Sequence, residues 1–337
     1  MTTHTPLNRR HVACAERPGG PEVLDVKTED VAPPGPGDAV VRVEAVGLNH
    51  VETLVRSGTY SIRVAFPYYV GIEGAGTVLA VGSDLGIAPG TRVCWTGIFG
   101  SCATVLTAPA RMLAALPDGL DFEAGASLAH AGLTAAGLAR HCPLAKRARA
   151  VVWGAAGAVG RVLVALLADR DVSVIGIASG TRVEAVRRAG AEFVVDRVAE
   201  DVVEAVRAHT RGEGVAAVFD PVGTATYETS VRLLAPRGCL VNYGQLSGSL
   251  PTVDLNALME AGSVFVTKYG PRAGLIDRNH IASCISHALA LARTRPLTCD
   301  VAARFPLSSV SDAYRMLESH PAGKVLVLPQ VRLKTAG

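Results

Sequence analysis

Seven residues, Gly154-Ala155-Ala156-Gly157-Ala158-Val159-Gly160, have the types and spacing to hold a nucleotide pyrophosphate. They follow the short apolar run Ala150-Val151-Val152-Trp153. They open a stretch with apolar residues at helical spacing: Val159, Val162, Leu163, Leu166 and Leu167, expected on one face. In a strand, glycine turn and helix arrangement the first glycine permits the tight turn and the second lets the backbone approach the phosphates. The third lets the helix pack against the strand, while the free N–H groups of the helix start face the anion. All seven are therefore candidate cofactor contacts. The plainer alternative is a structural turn in an unrelated α/β domain, but the next apolar run, Val172-Ser173-Val174-Ile175-Gly176-Ile177, stands where a βαβ unit puts its second strand.

The end of that second strand selects the cofactor. A site for the unphosphorylated dinucleotide needs an acid there to take the ribose 2′-hydroxyl. The chain reads Ala178-Ser179-Gly180-Thr181-Arg182, with no carboxylate. Ser179 and Thr181 offer hydroxyls, and Arg182 offers a planar, permanently charged fork suited to a 2′-phosphate. The expectation is NADP(H), with a solvated surface arginine as the competing reading of Arg182.

The elements that must position these residues follow a clear order. The first third reads as short strands, Val40–Val46 and Gly76–Gly82 among them, broken by turns such as Pro33-Pro34-Gly35-Pro36-Gly37 and Pro89-Gly90. That pattern predicts a small barrel-like unit. Phe122 to Arg140 is Ala-rich and helical. Strands and helices then alternate through Phe193–Val195, the helix around Val202–Val206, Val215–Phe219, a helix over Thr229–Leu234 and Gly238–Tyr243. Ser263–Thr267 is the expected last strand of a parallel, doubly wound sheet. A helix over Ala282–Arg293 and a closing strand, Val325–Leu328, complete the chain.

Length and composition set the bounds. The 337 residues suit two domains, and 49% hydrophobic with 19% charged residues describes a globular chain. A net charge of +3 gives no reason to expect nucleic acid or an anionic membrane as partner. No apolar run spans a bilayer and Met1–Arg10 has no secretory core, so a cytoplasmic location is expected. The seven cysteines, at 14, 94, 102, 142, 239, 284 and 299, form no C-x-x-C pair, which argues against a disulfide framework and a structural zinc cluster.

The ordered set of motifs resembles the zinc-independent quinone oxidoreductase (zeta-crystallin-like) family of the medium-chain dehydrogenase/reductase superfamily. It runs nearly end to end: Arg17–Leu24, Gly47-Leu48-Asn49, Arg56–Tyr60, Gly71–Gly76, Pro89–Val93, Ala131–Ala135, the glycine turn, Phe219–Gly223 and Gly323–Leu326. The resemblance implies an α/β chain: a Rossmann doubly wound parallel sheet plus a chaperonin-10-like β-rich catalytic domain. Its boundaries are expected at 1–124 for the first part of the catalytic domain, 125–267 for the Rossmann domain and 268–337 for the return. It also implies a homodimer, with Ser263–Thr267 as the candidate edge. In the family a lysine near the Arg182 position and a tyrosine near the Arg197 position often hold the 2′-phosphate; arginine at both keeps the charge.

Zinc alcohol dehydrogenases of the superfamily carry a cysteine where this chain has Asn49 and a histidine where it has Ile72, so no metal is expected. Hydride delivery from NADPH to a quinone or an activated C=C bond is the implied chemistry, with polarisation by hydrogen bonds. Asn49 is the leading catalytic and cofactor-side candidate, because its amide both donates and accepts. Tyr60 is the second catalytic candidate, as mouth residue or proton donor. Thr134, Gly244, Gln245 and Lys324 are further cofactor-side candidates, and Lys268 is a nearby cation. Quinone oxidoreductases commonly have tyrosine where this chain has Leu54. Asn49 with Leu54 and Glu73-Gly74-Ala75-Gly76 is similar to enoyl reductase domains of polyketide synthases. A trans-acting enoyl-thioester reductase, and a non-catalytic NADPH-binding sensor or structural protein, therefore stay as alternatives.

Overall fold

The computed structural model describes residues 9–60, 63–83, 86–270, 277–298 and 300–330. The chain divides into two compact units: 1–130, 278–293 and 298–337 form the first, and 131–277 with 294–297 the second.

The first unit opens with β1 (Arg9–Ala15), β2 (Leu24–Asp30) and β3 (Asp38–Gly47), followed by α1 (His50–Ser57). Next come β4 (Tyr68–Tyr69), β5 (Glu73–Val81), β6 (Arg92–Thr96), β7 (Val105–Pro109) and β8 (Leu113–Ala115). The helix α2 (Phe122–His141) starts in the first unit and ends in the second. One sheet has the order β2-β1-β4. A larger sheet is centred on β3, which is antiparallel to both β5 and β7. Val41, Val43, Val46 and Trp95 are buried between these strands, and the Trp95 indole N–H donates to Ser101 Oγ at 2.9 Å. Burial of apolar area of this kind supplies the main driving force for folding.

The second unit is a six-stranded, wholly parallel sheet. Its strands are β9 (Arg149–Val152), β10 (Ser173–Ala178), β11 (Phe193–Asp196), β12 (Val215–Asp220), β13 (Leu234–Asn242) and β14 (Phe265–Lys268). The order β11-β10-β9-β12-β13-β14 reverses beside β9, so the topological switch point lies where the glycine turn begins. Helices α3 (Ala158–Ala168), α4 (Val183–Ala189), α5 (Val202–His209), α6 (Tyr227–Leu233) and α7 (Leu255–Glu260) alternate with the strands. The central strands are buried along almost their whole length, as the continuous apolar runs require when helices cover both faces.

The chain then returns to the first unit through α8 (Ile281–Ala292), β15 (Val301–Pro306), α9 (Val310–Glu318) and β16 (Lys324–Leu328). β16 is parallel to β15 and antiparallel to β3, so the chain end is hydrogen-bonded to an early strand. Among the described residues no helix is long and apolar enough to cross a membrane.

Some element boundaries differ from expectation for physical reasons. The last parallel strand begins at Phe265 rather than Ser263, because Gly262 and Ser263 turn the chain out of α7 with φ of 103° and 54°. The expected helix over Thr229–Leu234 ends at Leu233, and β13 begins at Leu234. The stripe expected on α3 is instead nearly all-round burial from Gly160 to Leu167, including Arg161; Val159 is only half-buried. The elements α7, β15 and α9 have no counterpart in the sequence reading.

Candidate functional site

In the first unit, strand register brings distant residues together. Leu326 of β16 lies opposite Gly47 of β3 in an antiparallel ladder, and the same register carried to Lys324 reaches Asn49. Ala75 of β5 lies opposite Ala45, so Glu73 at the start of β5 comes beside Gly47. Gly47 has to be glycine, since a Cβ there would strike the Ala126 backbone carbonyl, besides lying 2.6 Å from Lys324 Cε and 2.8 Å from Glu73 Oε1.

The result is a closed polar cluster. Lys324 Nζ donates to Glu73 Oε1 and, at 3.0 Å, to Asn49 Oδ1. Asn49 Nδ2 donates to Glu73 Oε1 at 2.8 Å and to the Gly47 carbonyl at 3.2 Å. The backbone N–H of His130 donates to Glu73 Oε2 at 2.7 Å. Glu73 is fully buried and Lys324 is 7% exposed, so this ion pair is shielded from solvent, whereas Asn49 keeps a half-exposed surface. Asn49 and Lys324, named separately as candidates in the sequence, are thus in direct contact, and each end of the Asn49 amide is oriented by a charged side chain.

A second carboxylate braces this arrangement. Asn49 precedes α1 in extended conformation, and its backbone N–H donates to Glu52 Oε1 at 3.0 Å, half of a capping box. Glu52 Oε2 accepts from Gly71 N–H at 2.8 Å and from Tyr314 OH at 2.7 Å. Burial pushes the Glu52 carboxyl up to about 7, against the hydrogen bonds from Tyr314, Asn49 and Gly71; the neighbouring Glu73 charge adds to the rise. Burial, with the nearby His320 and Lys324, holds His50 down at about 4. Burial also lowers His130, Lys324 lowers it further and Glu73 opposes both. In the sequence Glu73 stands out only as part of the 71–76 motif, and Glu52 and Tyr314 are not among the candidates. The Asn-x-x-Glu spacing at 49–52 was the available signal for Glu52, whereas Tyr314 lies on a helix with no sequence flag.

Tyr60 follows α1, with its N–H bonded to the Leu54 carbonyl at 3.1 Å, and its ring packs on the core of the first unit. Burial raises its phenol pKa. Leu54 is half-buried.

In the second unit the candidates other than Thr134 follow the carboxyl ends of parallel strands. Gly154 has φ +60, and Gly157 is the N-cap of α3 with extended backbone. Gly154 and Gly157 are exposed and Ala158 and Val159 half-exposed, so the first-turn N–H groups, which lack intrahelical acceptors, face outward. Ala155 and Ala156 are buried. A Cβ on Gly160 would strike the Gly154 carbonyl and lie 2.8 Å from Ala155 Cα. The glycine therefore lets the helix close on its own turn rather than on the strand. Gly244, after β13, approaches the Pro221 carbonyl so closely that a side chain has no room. Gln245 follows it, and its Oε1 accepts from Ser249 Oγ at 3.5 Å. Thr134 is half-buried on α2. Lys268 is drawn onto Asn242 Oδ1 at 2.7 Å, and burial lowers its pKa.

Ser179 and Arg182 are brought together: Arg182 Nη2 donates to Ser179 Oγ at 2.8 Å, and Arg182 is exposed. Arg197 is also exposed, and its backbone N–H donates to the Ala178 carbonyl at 3.0 Å, which puts it beside the same loop. The expectation that no carboxylate stands here needs correction. Asp196, at the end of the neighbouring strand, accepts from Gly180 N–H with both oxygens at 3.1 Å and from Val198 N–H at 3.0 Å. Those backbone hydrogen bonds hold its carboxyl below the usual range. A scan along β10 misses it because it arrives across the sheet.

Among the described residues no group of three or more His, Cys, Asp or Glu is placed to hold a metal ion. Residues 35–160 match the alcohol dehydrogenase GroES-like domain, and residues 158–271 match the zinc-binding dehydrogenase domain. A quinone oxidoreductase of Pseudomonas aeruginosa is 35% identical over 306 residues, covering 85% of this chain and 94% of its own. Quinone oxidoreductase 1 of Escherichia coli is 31% identical and covers 92% and 97%. The crystal structure of Escherichia coli quinone oxidoreductase complexed with NADPH superposes with a TM-score of 0.82 at 29% identity, over 95% of this chain and all of the other. A mycobacterial structure complexed with NADPH gives 0.82 at 32%, with the same coverage. Identity and coverage of this extent, on this fold, show that the chain belongs to the zinc-independent quinone oxidoreductase family of the medium-chain dehydrogenase/reductase superfamily.

Proposed function

We propose that this chain is an NADPH-dependent oxidoreductase that delivers hydride to quinones or to activated C=C bonds. The carrying observation is the Asn49–Glu73–Lys324 cluster, in which a buried ion pair pre-orients the half-exposed Asn49 amide, standing where zinc enzymes of the superfamily place a metal ligand. The quinone oxidoreductase and 2-haloacrylate reductase relatives support both acceptor classes.

The residues of the second unit fit the cofactor. The open N-terminus of α3 and the Gly160 close approach suit a pyrophosphate, and the exposed Arg182 fork with Ser179 suits a 2′-phosphate. Arg197 supplies a second positive charge there. Thr134, Gly244 and Gln245 are assigned to the nicotinamide side. When bound, NADPH supplies the hydride.

The protein orients and polarises. Lys324 has a third N–H beyond those given to Asn49 and Glu73, and it donates to the ligand while its charge stays balanced by Glu73. Asn49 offers its remaining acceptor capacity to the same ligand. Tyr60 keeps its proton at neutral pH, as an ordinary phenol does, and burial shifts its pKa further upward; it serves as wall and hydrogen-bond donor to the acceptor.

The exposed apolar residues Leu255, Met259 and Phe265 lie on α7 and the edge strand β14. An apolar sheet edge of this kind supports a homodimer formed through β14. A single-chain mass in sedimentation would remove that assembly. The activity is tested by NADPH oxidation against a panel of benzoquinones, naphthoquinones, conjugated enones and enoyl thioesters. Turnover with quinones or enones is expected. Turnover with enoyl thioesters alone would move the chain to the thioester reductases, and NADPH binding without turnover would leave a sensor.

A further inference from the structure

Two cysteines outside the proposed active site lie together in the second unit. Cys239 is on β13, in parallel register with Phe265, and Val241 is in register with Thr267. Residues two apart on a strand share a face, and in-register parallel residues point the same way, so Cys239 and Thr267 face one side of the sheet. That side carries the end of α2, because His141 Nε2 and Thr267 Oγ1 are 3.0 Å apart. Cys142 is the residue after His141, and its N–H is tied to the Leu138 carbonyl at 3.2 Å. The two thiols are accordingly neighbours, close enough to shift one another's acidity in opposite directions. Both are half-buried, whereas Cys14, Cys94, Cys102 and Cys284 are buried. The pair is reduced in this structure.

We propose that Cys142 and Cys239 form a peroxide-responsive dithiol that closes to a reversible disulfide between the end of α2 and strand β13.

The roles of the two sulfurs differ. The neighbouring Cys142 lowers the Cys239 pKa, whereas Cys239 and burial raise that of Cys142. Cys239 is therefore the attacking thiolate and Cys142 the resolving thiol. The Cys239 thiolate attacks one peroxide oxygen, the O–O bond breaks, and hydroxide leaves and takes a proton to become water. The Cys142 sulfur then attacks the Cys239 sulfenic acid. The S–S bond forms, the S–O bond breaks and a second water leaves. The two thiols lose two electrons and two protons, and the peroxide gains them. Burial leaves the other described cysteines outside this chemistry.

The test uses the full chain, fully reduced and then treated with hydrogen peroxide under native conditions. Non-reducing proteolysis and mass spectrometry are expected to show a peptide linked through Cys142 and Cys239. Two thiols per chain are lost, and dithiothreitol restores both. Cys142→Ser is expected to stop at a Cys239 sulfenic acid that dimedone captures, whereas Cys239→Ser leaves Cys142 reduced. Phenylarsine oxide, which bridges two close thiols, serves as a check that needs no oxidation: it is expected to hold the native protein and neither variant. Both thiols surviving the peroxide, a bridge to any other cysteine, or equal dimedone capture by the two variants would overturn the proposal.

Discussion

The Asn49–Glu73–Lys324 cluster and the 154–160 turn are built in opposite ways. The turn is local: its glycines lie within seven residues, its geometry follows from their backbone freedom, and its donors face outward. The cluster is assembled by pairing strands from both ends of the chain, and its ion pair is sealed from solvent. A local, exposed site can lose a side chain and keep its shape. A buried charge cluster assembled at long range holds part of the fold together, so its loss reaches stability as well as activity.

The largest effect is expected at Lys324. Lys324→Met leaves the fully buried Glu73 carboxylate without its cation, and breaking one side of a buried pair costs about 3–5 kcal/mol. Denaturant unfolding is expected to show that loss, together with loss of turnover. The double variant Lys324→Met/Glu73→Gln is expected to regain part of the stability and none of the activity, because the unpaired charge is gone while the Asn49 amide is still ungripped. A cost below about 1 kcal/mol for Lys324→Met would mean that the cluster does not brace the fold.

Glu52 sharpens the same contrast through pH. Its folded pKa of about 7 lies above the ordinary carboxyl value of 4.5, so the folded state holds this proton more tightly than the unfolded state. The resulting stability is complete below pH 4.5 and is lost as pH rises through 7, amounting to about 3 kcal/mol in all. Glu52→Gln removes the titration. Whatever fixed cost the amide brings at Gly71, Tyr314 and Asn49, the variant is expected to gain on the native protein steadily between pH 5 and 7.5 in thermal unfolding. Parallel curves for the two proteins would show that Glu52 does not titrate in this range.

These differences explain what could be read in the sequence. The parallel sheet, α2, α3 and the glycine turn were legible because apolar runs, helical spacing and glycine positions are local signals. Asn49 and Lys324 could be named only one at a time, through family resemblance; their contact depends on a β16–β3 register that no short window encodes. Asp196 was hidden for the same reason, since it reaches Gly180 from an adjacent strand. Tyr314 gave no signal because its helix looks like any amphipathic surface helix until β16 places it over α1. The Cys142–Cys239 pair was invisible to a spacing search, as the partners lie at a helix end and on the strand next to the sheet edge.

Arg182 gives the smallest and most selective effect. It is exposed, its side chain hydrogen-bonds Ser179 Oγ, and no buried group depends on it. Arg182→Ala is expected to leave thermal stability unchanged and to cut the preference for NADPH over NADH about tenfold or more, in line with the ~1.5–3 kcal/mol of a charge-assisted hydrogen bond. Arg197 retains part of the preference. The nearby Asp196 carboxylate, held by the Gly180 and Val198 amides, repels a 2′-phosphate more strongly once Arg182 is gone. Raising the salt concentration is expected to shrink the native preference toward that of the variant, because the contact is solvent-exposed. An unchanged cofactor ratio would place 2′-phosphate recognition elsewhere on the second unit. A fall in stability would show that this exposed loop, like the buried cluster, holds the fold.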